Sequence, residues 1–121
     1  MVESMWAVEV TNAFELWFNE LTEQEQDEAT AVIELLQERG VQLRHPLSSG
    51  IEGSRHAHMR ELRIQAHGDP IRIFYAFDPR RVAVLLIGGI KTGKGKRFYR
   101  EMIPRADKLY DEHLASLKLR R

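Results

Sequence analysis

The stretch VAVLLIGGI, residues 82–90, is apolar at every position and constrains the fold more than any other segment. A short run of Val, Leu and Ile ending in Gly-Gly reads as a central strand, covered on both sides or flanked by neighbours. The glycines near its end allow a bulge or a close approach of the backbone to another element. Such a strand needs partners, and the preceding segments supply them. In MRELRIQA, residues 59–66, Leu62, Ile64 and Ala66 alternate with Glu61, Arg63 and Gln65. In IRIFYAF, residues 71–77, Ile71, Ile73, Tyr75 and Phe77 alternate with Arg72, Phe74 and Ala76. This period of two predicts two more strands, with turns at His67 to Pro70 and at Asp78-Pro79.

The amino-terminal half reads as one short strand and two helices. Trp6, Val8 and Val10 alternate with Ala7 and Glu9. Asn12 with Glu15 has the spacing of a capping box and precedes Phe14, Trp17, Phe18 and Leu21 at helical intervals. Thr22 with Glu25 repeats that signal ahead of Ala29, Val32, Ile33 and Leu36, and this longer helix, acidic on its outer face, is expected to stop near Gly40. Residues 41–58 contain Pro46, Gly50 and Gly53 without clear periodicity and read as a surface loop. From Lys96 onward Met102, Ile103, Ala106, Leu109, Tyr110, Leu114 and Leu117 form a helical stripe that Pro104 is expected to kink or divide. No linker or repeat interrupts this order, so residues 1–121 are read as one domain. The class is α+β: a small, antiparallel-rich twisted sheet with two amino-terminal helices on one face, and a carboxy-terminal helix. Arg63 and Arg72 should then stand together on the sheet's other, open face.

Charge is divided along the chain, although the formal net charge is zero. Residues 1–53 carry eleven carboxylates against Arg39 and Arg44, whereas residues 54–121 carry sixteen Lys and Arg against seven carboxylates. A net of minus nine is thus followed by a net of plus nine. Either the halves neutralise each other where they pack, or a neutral protein presents a basic face to a polyanion. The absence of cysteine excludes disulfides, thiolate metal sites and a cysteine nucleophile. The opening MVESMWAVEV lacks a basic region followed by an apolar core, and no apolar run approaches a membrane span, so a cytoplasmic protein with no membrane partner is expected.

The basic charge is densest in GGIKTGKGKRFYREM, residues 88–102. Its GGIKTGK portion matches part of a phosphate-binding loop, but Gly95 stands where Ser or Thr should hold magnesium, and the chain lacks the parallel sheet that such loops serve. His56 and His58 could share one side of an extended segment, yet no third ligand is evident nearby, so no metal site is assigned. His113 reads as a packing residue on the last helix. What remains is the basic cluster of Lys91, Lys94, Lys96, Arg97 and Arg100, supplemented by Arg63 and Arg72 from two strands, beside the rings of Phe98 and Tyr99. Guanidiniums grip phosphate bidentately, lysines act as point charges and rings stack bases, a combination suited to a phosphodiester.

The succession RELR, PIRIFYAFDPRR and VAVLLIGGIKTGKGKRFYREMIPRADKLYDEHL, from about Met59 to Leu114, resembles the HigB-like branch of the RelE superfamily of toxins, the phage-derived type encoded beside a helix-turn-helix antitoxin. The resemblance implies a RelE-like sheet packed on two helices and an endoribonuclease that cuts messenger RNA, commonly on the ribosome, without metal or cofactor. By position it implies that Arg72 binds the scissile phosphate, that Lys91 stabilises transition-state charge and that Tyr99 stacks a base or transfers a proton. Lys94, Lys96, Arg97 and Phe98 would extend the RNA-binding surface, with Arg63 added from its place on the sheet. The implied partners are the cognate antitoxin, through which operator DNA would be bound indirectly, and messenger RNA. The rival reading is a noncatalytic RNA- or partner-binding module on the same fold.

Overall fold

The computed structural model describes residues 5–66 and 68–120. Five strands form one sheet: β1 (Val8–Val10), β2 (Ser48–Gly50), β3 (Arg60–Ala66), β4 (Asp69–Phe77) and β5 (Ala83–Ile90). Their spatial order is β1-β5-β4-β3-β2, with β1 parallel to β5 and every other pair antiparallel. The apolar segment of residues 82–90 therefore has neighbours on both sides, as its composition requires. His67, which the sequence places in the β3–β4 turn, lies outside the described residues.

The helices are α1 (Asn12–Asn19), α2 (Glu23–Arg39) and α3 (Lys96–Leu119). Thr22 and Glu25 form the complete reciprocal cap expected of them at the start of α2. At α1 the cap lies one residue earlier than the Asn12–Glu15 spacing suggests. Thr11 accepts from the Phe14 amide and donates its hydroxyl proton to the Leu86 carbonyl at 2.6 Å, tying the helix start to β5 as well as closing its first turn. Gly40 ends α2 with φ 54°, and a Cβ there would fall 2.1 Å from the Trp6 ring.

Two further expectations are corrected. The segment 41–58 is not entirely loop, because Ser48–Gly50 pairs with β3 as an edge strand. Three small residues carry no hydrophobic alternation, so its signal lay only in the partner it finds. Pro104 does not divide the last helix: α3 runs unbroken through it. Its ring removes a bond to the Arg100 carbonyl, but Arg100 and Pro104 both face solvent, where water can serve that acceptor.

Helices cover both faces of the sheet. Ile64, Ile71, Ile73, Tyr75 and Leu85 pack with Phe14, Ala29, Val32 and Leu36 of α1 and α2. Phe74, Ala76, Val84, Leu86 and Ile87 pack with Phe98, Met102, Ile103 and Ala106 of α3. The face expected to be open is therefore floored by α3. The alternation still sorts residues correctly, and Arg63 and Arg72 are direct cross-strand partners.

The irregularity in β5 comes before its glycines. Phe74 pairs with Ile87 and Tyr75 with Leu85, so Leu86 is an extra residue. Leu86 and Ile87 consequently both face α3, and the alternation beyond them is reversed. The glycines serve close approach instead. A Cβ on Gly88 would meet the Trp17 ring at 2.3 Å, and one on Gly89 would meet the Phe98 ring at 2.9 Å on the opposite face. Without the bulge, Lys91 would point toward α1 and α2; with it, Lys91 lies on the α3 side.

Candidate active site and nucleic-acid interface

The centre of the site is a buried ion pair between adjacent strands. Glu61 on β3 and Arg72 on β4 share the α3 face, and both side chains are 7% exposed. Arg72 Nε lies 3.7 Å from Glu61 Oε1, close enough for charge attraction but too long for a hydrogen bond. That buried Nε has no hydrogen-bond partner among the described residues, while Nη1 donates to the Ile71 carbonyl at 3.1 Å. The cluster is closed from above by Tyr99 in the first turn of α3, whose hydroxyl donates to Glu61 Oε1 at 2.8 Å.

Lys91 completes the group. It follows β5 directly, its amide donates to the Pro70 carbonyl at 2.8 Å, and its Nζ sits 5.1 Å from the centre of the Tyr99 ring. That ring also meets Phe74 and Phe98 edge-on, so its orientation is fixed by packing as well as by its hydroxyl. Burial pushes the Tyr99 phenol above the ordinary tyrosine range, and the hydrogen bond to Glu61 and its charge push it further, with Arg72 opposing. The group is accordingly a protonated donor throughout the physiological range.

Tyr99 forms the wall between two clefts. One, of about 280 Å³, is lined by Gly50, Ile51, Glu52, Glu61 and Tyr99. The other, of about 510 Å³, includes Tyr99, Arg100, Ile103, Pro104 and Glu52. Glu61 lines the smaller cleft and Tyr99 lines both, whereas Arg72 and Lys91 line neither. The segment bordering the larger cleft is pinned to α3: Ser54 donates to Asp107 at 2.5 Å, and His56 Nε2 lies 2.7 Å from Asp111 while its ring meets Tyr110 edge-on.

The remaining residues singled out from the sequence are distributed unequally. Arg63 stands opposite Arg72, half-buried. Lys94 and Arg97 are exposed and lie 3.8 and 3.5 Å from the two carboxylate oxygens of Glu101, so part of their charge is answered within the chain. Lys96 is exposed and has no ion partner among the described residues. Phe98 is 1% exposed and stacks on Phe74 in the core above Gly89. It is a packing residue and cannot stack a base. The two histidines do not converge: His56 is held by Asp111, whereas His58 lines a separate cleft with Arg44 and Arg60. His113 is half-buried as expected, but its Nε2 is 2.8 Å from the Asp78 carboxylate.

Glu61 is the residue that sequence reasoning passed over. Its signal was present, because alternation puts it on the face of Arg63 and Arg72. Only the fold brings Tyr99, 38 positions later, onto it. No helix among the described residues is long and apolar enough to cross a membrane.

A five-stranded sheet with two helices on one face and one on the other is a RelE-like fold. A chain of the archaeal RelE-RelB complex from Pyrococcus horikoshii OT3 superposes with a TM-score of 0.54 at 16% identity, covering 73% of this chain and 97% of that one, which speaks for the fold alone. The model of the family described as phage-derived protein Gp49-like matches residues 16–111. Two proteins of Mycobacterium tuberculosis (strain ATCC 25618 / H37Rv) named as toxins are similar in sequence. HigB2 is 39% identical over 114 residues, which span 93% of this chain and 56% of HigB2. HigB3 is 41% identical over 102 residues, which span 84% of this chain and 88% of HigB3. The chain belongs to the phage-derived Gp49-like family and is similar to the HigB toxins.

Proposed function

We propose that this protein is the toxin of a type II toxin–antitoxin pair and that it cuts messenger RNA on the ribosome, in the cytoplasm, until a cognate helix-turn-helix antitoxin blocks it. The observation that carries the reading is the clustering of Glu61, Arg72 and Lys91 around Tyr99, with Tyr99 lining both clefts and Glu61 the smaller one. The chemistry asked of these groups is transfer within the RNA. The 2′-hydroxyl oxygen attacks the adjacent phosphorus, the bond to the 5′-oxygen breaks, and a 2′,3′-cyclic phosphate and a 5′-hydroxyl result.

Each side chain has a task suited to its chemistry. Glu61, an acceptor-only carboxylate, takes the 2′-hydroxyl proton once substrate displaces the Tyr99 hydroxyl from it. Tyr99, kept protonated by burial and by Glu61, gives its proton to the departing 5′-oxygen. Arg72 and Lys91 balance the charge that builds on the phosphoryl oxygens. Lys94, Lys96, Arg97 and Arg63 supply the positive surface that guides the strand. No step requires a metal or a cofactor.

The burial of Arg72 favours a second reading, in which the Glu61–Arg72–Tyr99 cluster is structural and the protein binds RNA or a partner without cutting. Translation reactions programmed with a defined message separate the two. Cleavage mapped by primer extension, with growth arrest on induction, is expected of the native chain. Lys91→Ala should relieve the arrest with the stability of the parent, and Arg72→Ala should relieve it while remaining folded but less stable by about 3 kcal/mol, because Glu61 is left buried without its partner. An intact message and unimpeded growth with the native chain would overturn the nuclease reading, and full toxicity of both variants would overturn the site.

A further inference from the structure

A third cleft, of about 410 Å³, lies toward the β4–β5 turn, shares Gly50 with the smaller cleft above and takes no part in the chemistry proposed there. Arg44, His58, Arg60, Phe77, Asp78 and Arg81 line it. Along β4, Phe77 is five residues from Arg72, about 17 Å of extended chain. Arg81 occupies the β4–β5 turn, whereas Lys91 follows the opposite end of β5. We infer that this cleft is a phosphate-backbone site, holding RNA through Arg44, Arg60 and Arg81 at a distance from the Glu61–Arg72–Tyr99 cluster.

The cleft is positive without internal relief. Arg44, Arg60 and Arg81 have no carboxylate within 4.0 Å among the described residues. Asp78 is the one acidic residue of the lining, but its side chain is fully buried and already accepts from Arg80, from His113 and from the Arg80 and Val82 amides. Its charge is answered on the α3 side. Three arginines lining one open space repel one another unless an anion sits between them.

Two of the three are also held in position by groups that leave their charge free. Arg60 Nε donates to Ser48 Oγ at 3.0 Å, and Ser48 is joined at 2.5 Å to the Tyr75 hydroxyl, with both Ser48 and Tyr75 inaccessible to solvent. Arg81 has φ 66°, the only positive φ at a non-glycine position among the described residues, and its guanidinium lies 5.1 Å from the Trp6 ring centre. A left-handed arginine is strained backbone retained where the surroundings enforce it, and here it delivers a cation to the cleft. Fixed guanidinium forks match phosphate oxygens bidentately. A single carboxylate would balance one of three charges, whereas a strand with one charge per nucleotide meets them in succession, which favours nucleic acid over an isolated acidic side chain of a protein.

The inference stands whether or not the Tyr99 cluster cuts RNA, because its test uses a probe that cannot be cut. Binding of a fluorescent 2′-O-methyl RNA 12-mer is measured by anisotropy over a range of salt concentrations. The Arg44→Ala/Arg81→Gly double variant should bind about tenfold or more weakly at low salt, with a log–log salt slope smaller in magnitude by about two. Glycine accepts the φ of residue 81, so this change relieves strain. Arg81→Gly alone, with a slope change of about one, serves if the double variant melts early. Unchanged affinity and slope in a variant that melts like the parent would overturn the site. Unchanged RNA affinity with lost binding of a polyglutamate peptide would overturn it in favour of an acidic protein partner.

Discussion

Tyr99 donates its hydroxyl to Glu61 Oε1 at 2.8 Å, closing a buried Glu61–Arg72 pair beneath the first turn of α3. This bond joins the helix to the strand that supplies the carboxylate. It also makes one phenol both a lid over Arg72 and a donor at the mouth of two clefts.

Tyr99→Phe removes that hydroxyl while the ring keeps its contacts with Phe74, Phe98 and Lys91. Cleavage should slow by about a hundredfold, the usual order for losing a positioned proton donor, with little change in RNA affinity. Single-turnover cleavage beside equilibrium binding checks this. Equal rates would remove the hydroxyl from the mechanism.

Glu61→Gln leaves Arg72 buried without its countercharge. The expected loss of stability is about 3 kcal/mol, as when one member of a buried pair is removed, together with loss of cleavage. Urea denaturation gives the first quantity. A variant as stable as the parent would mean that Arg72 is solvated in solution.

Gly88→Ala should destabilise by roughly 1–3 kcal/mol, because its Cβ would enter the Trp17 ring and rigid neighbours must shift. Gly89→Ala should cost less, since the contact is with the Phe98 edge at 2.9 Å. Chemical denaturation of both variants tests the order.

The pH dependence of stability should have an acidic limb set by Asp78 and Glu9. Burial alone would push the Asp78 carboxyl up, but hydrogen bonds from His113, Arg80 and two backbone amides hold it below its ordinary value. Glu9 is lowered by its hydrogen bond to Arg80. A depressed carboxyl contributes stability above its unfolded value, near 4, and that contribution is lost as pH falls through the folded value. Asp78→Asn should flatten the decline below about pH 4 and be less stable at neutrality. Denaturation midpoints from pH 2 to 7 measure both, and parallel curves would refute the assignment.

Several features of the site were legible before any fold was known. Alternation in RELRIQA and IRIFYAF assigns Glu61, Arg63 and Arg72 to one face, and register adds only that Arg63 and Arg72 are direct partners. The Thr22–Glu25 cap and the stop at Gly40 follow from local backbone chemistry, which operates within one helical turn. These are short-range effects, so the order of residues states them directly.

Other features depended on contacts between distant segments. Consecutive residues on a helix point about 100° apart, and only the docking of α3 decides that Phe98 enters the core while Tyr99 faces Glu61. The extra residue at Leu86 reverses the strand's faces and turns Lys91 toward Tyr99, a consequence invisible in a run of uniformly apolar residues. Which residues share a face is written into the order of amino acids, because side-chain direction repeats locally along a strand. Tertiary packing decided what covers that face and which charges it buries, because those choices are made by elements that meet only when the chain has folded.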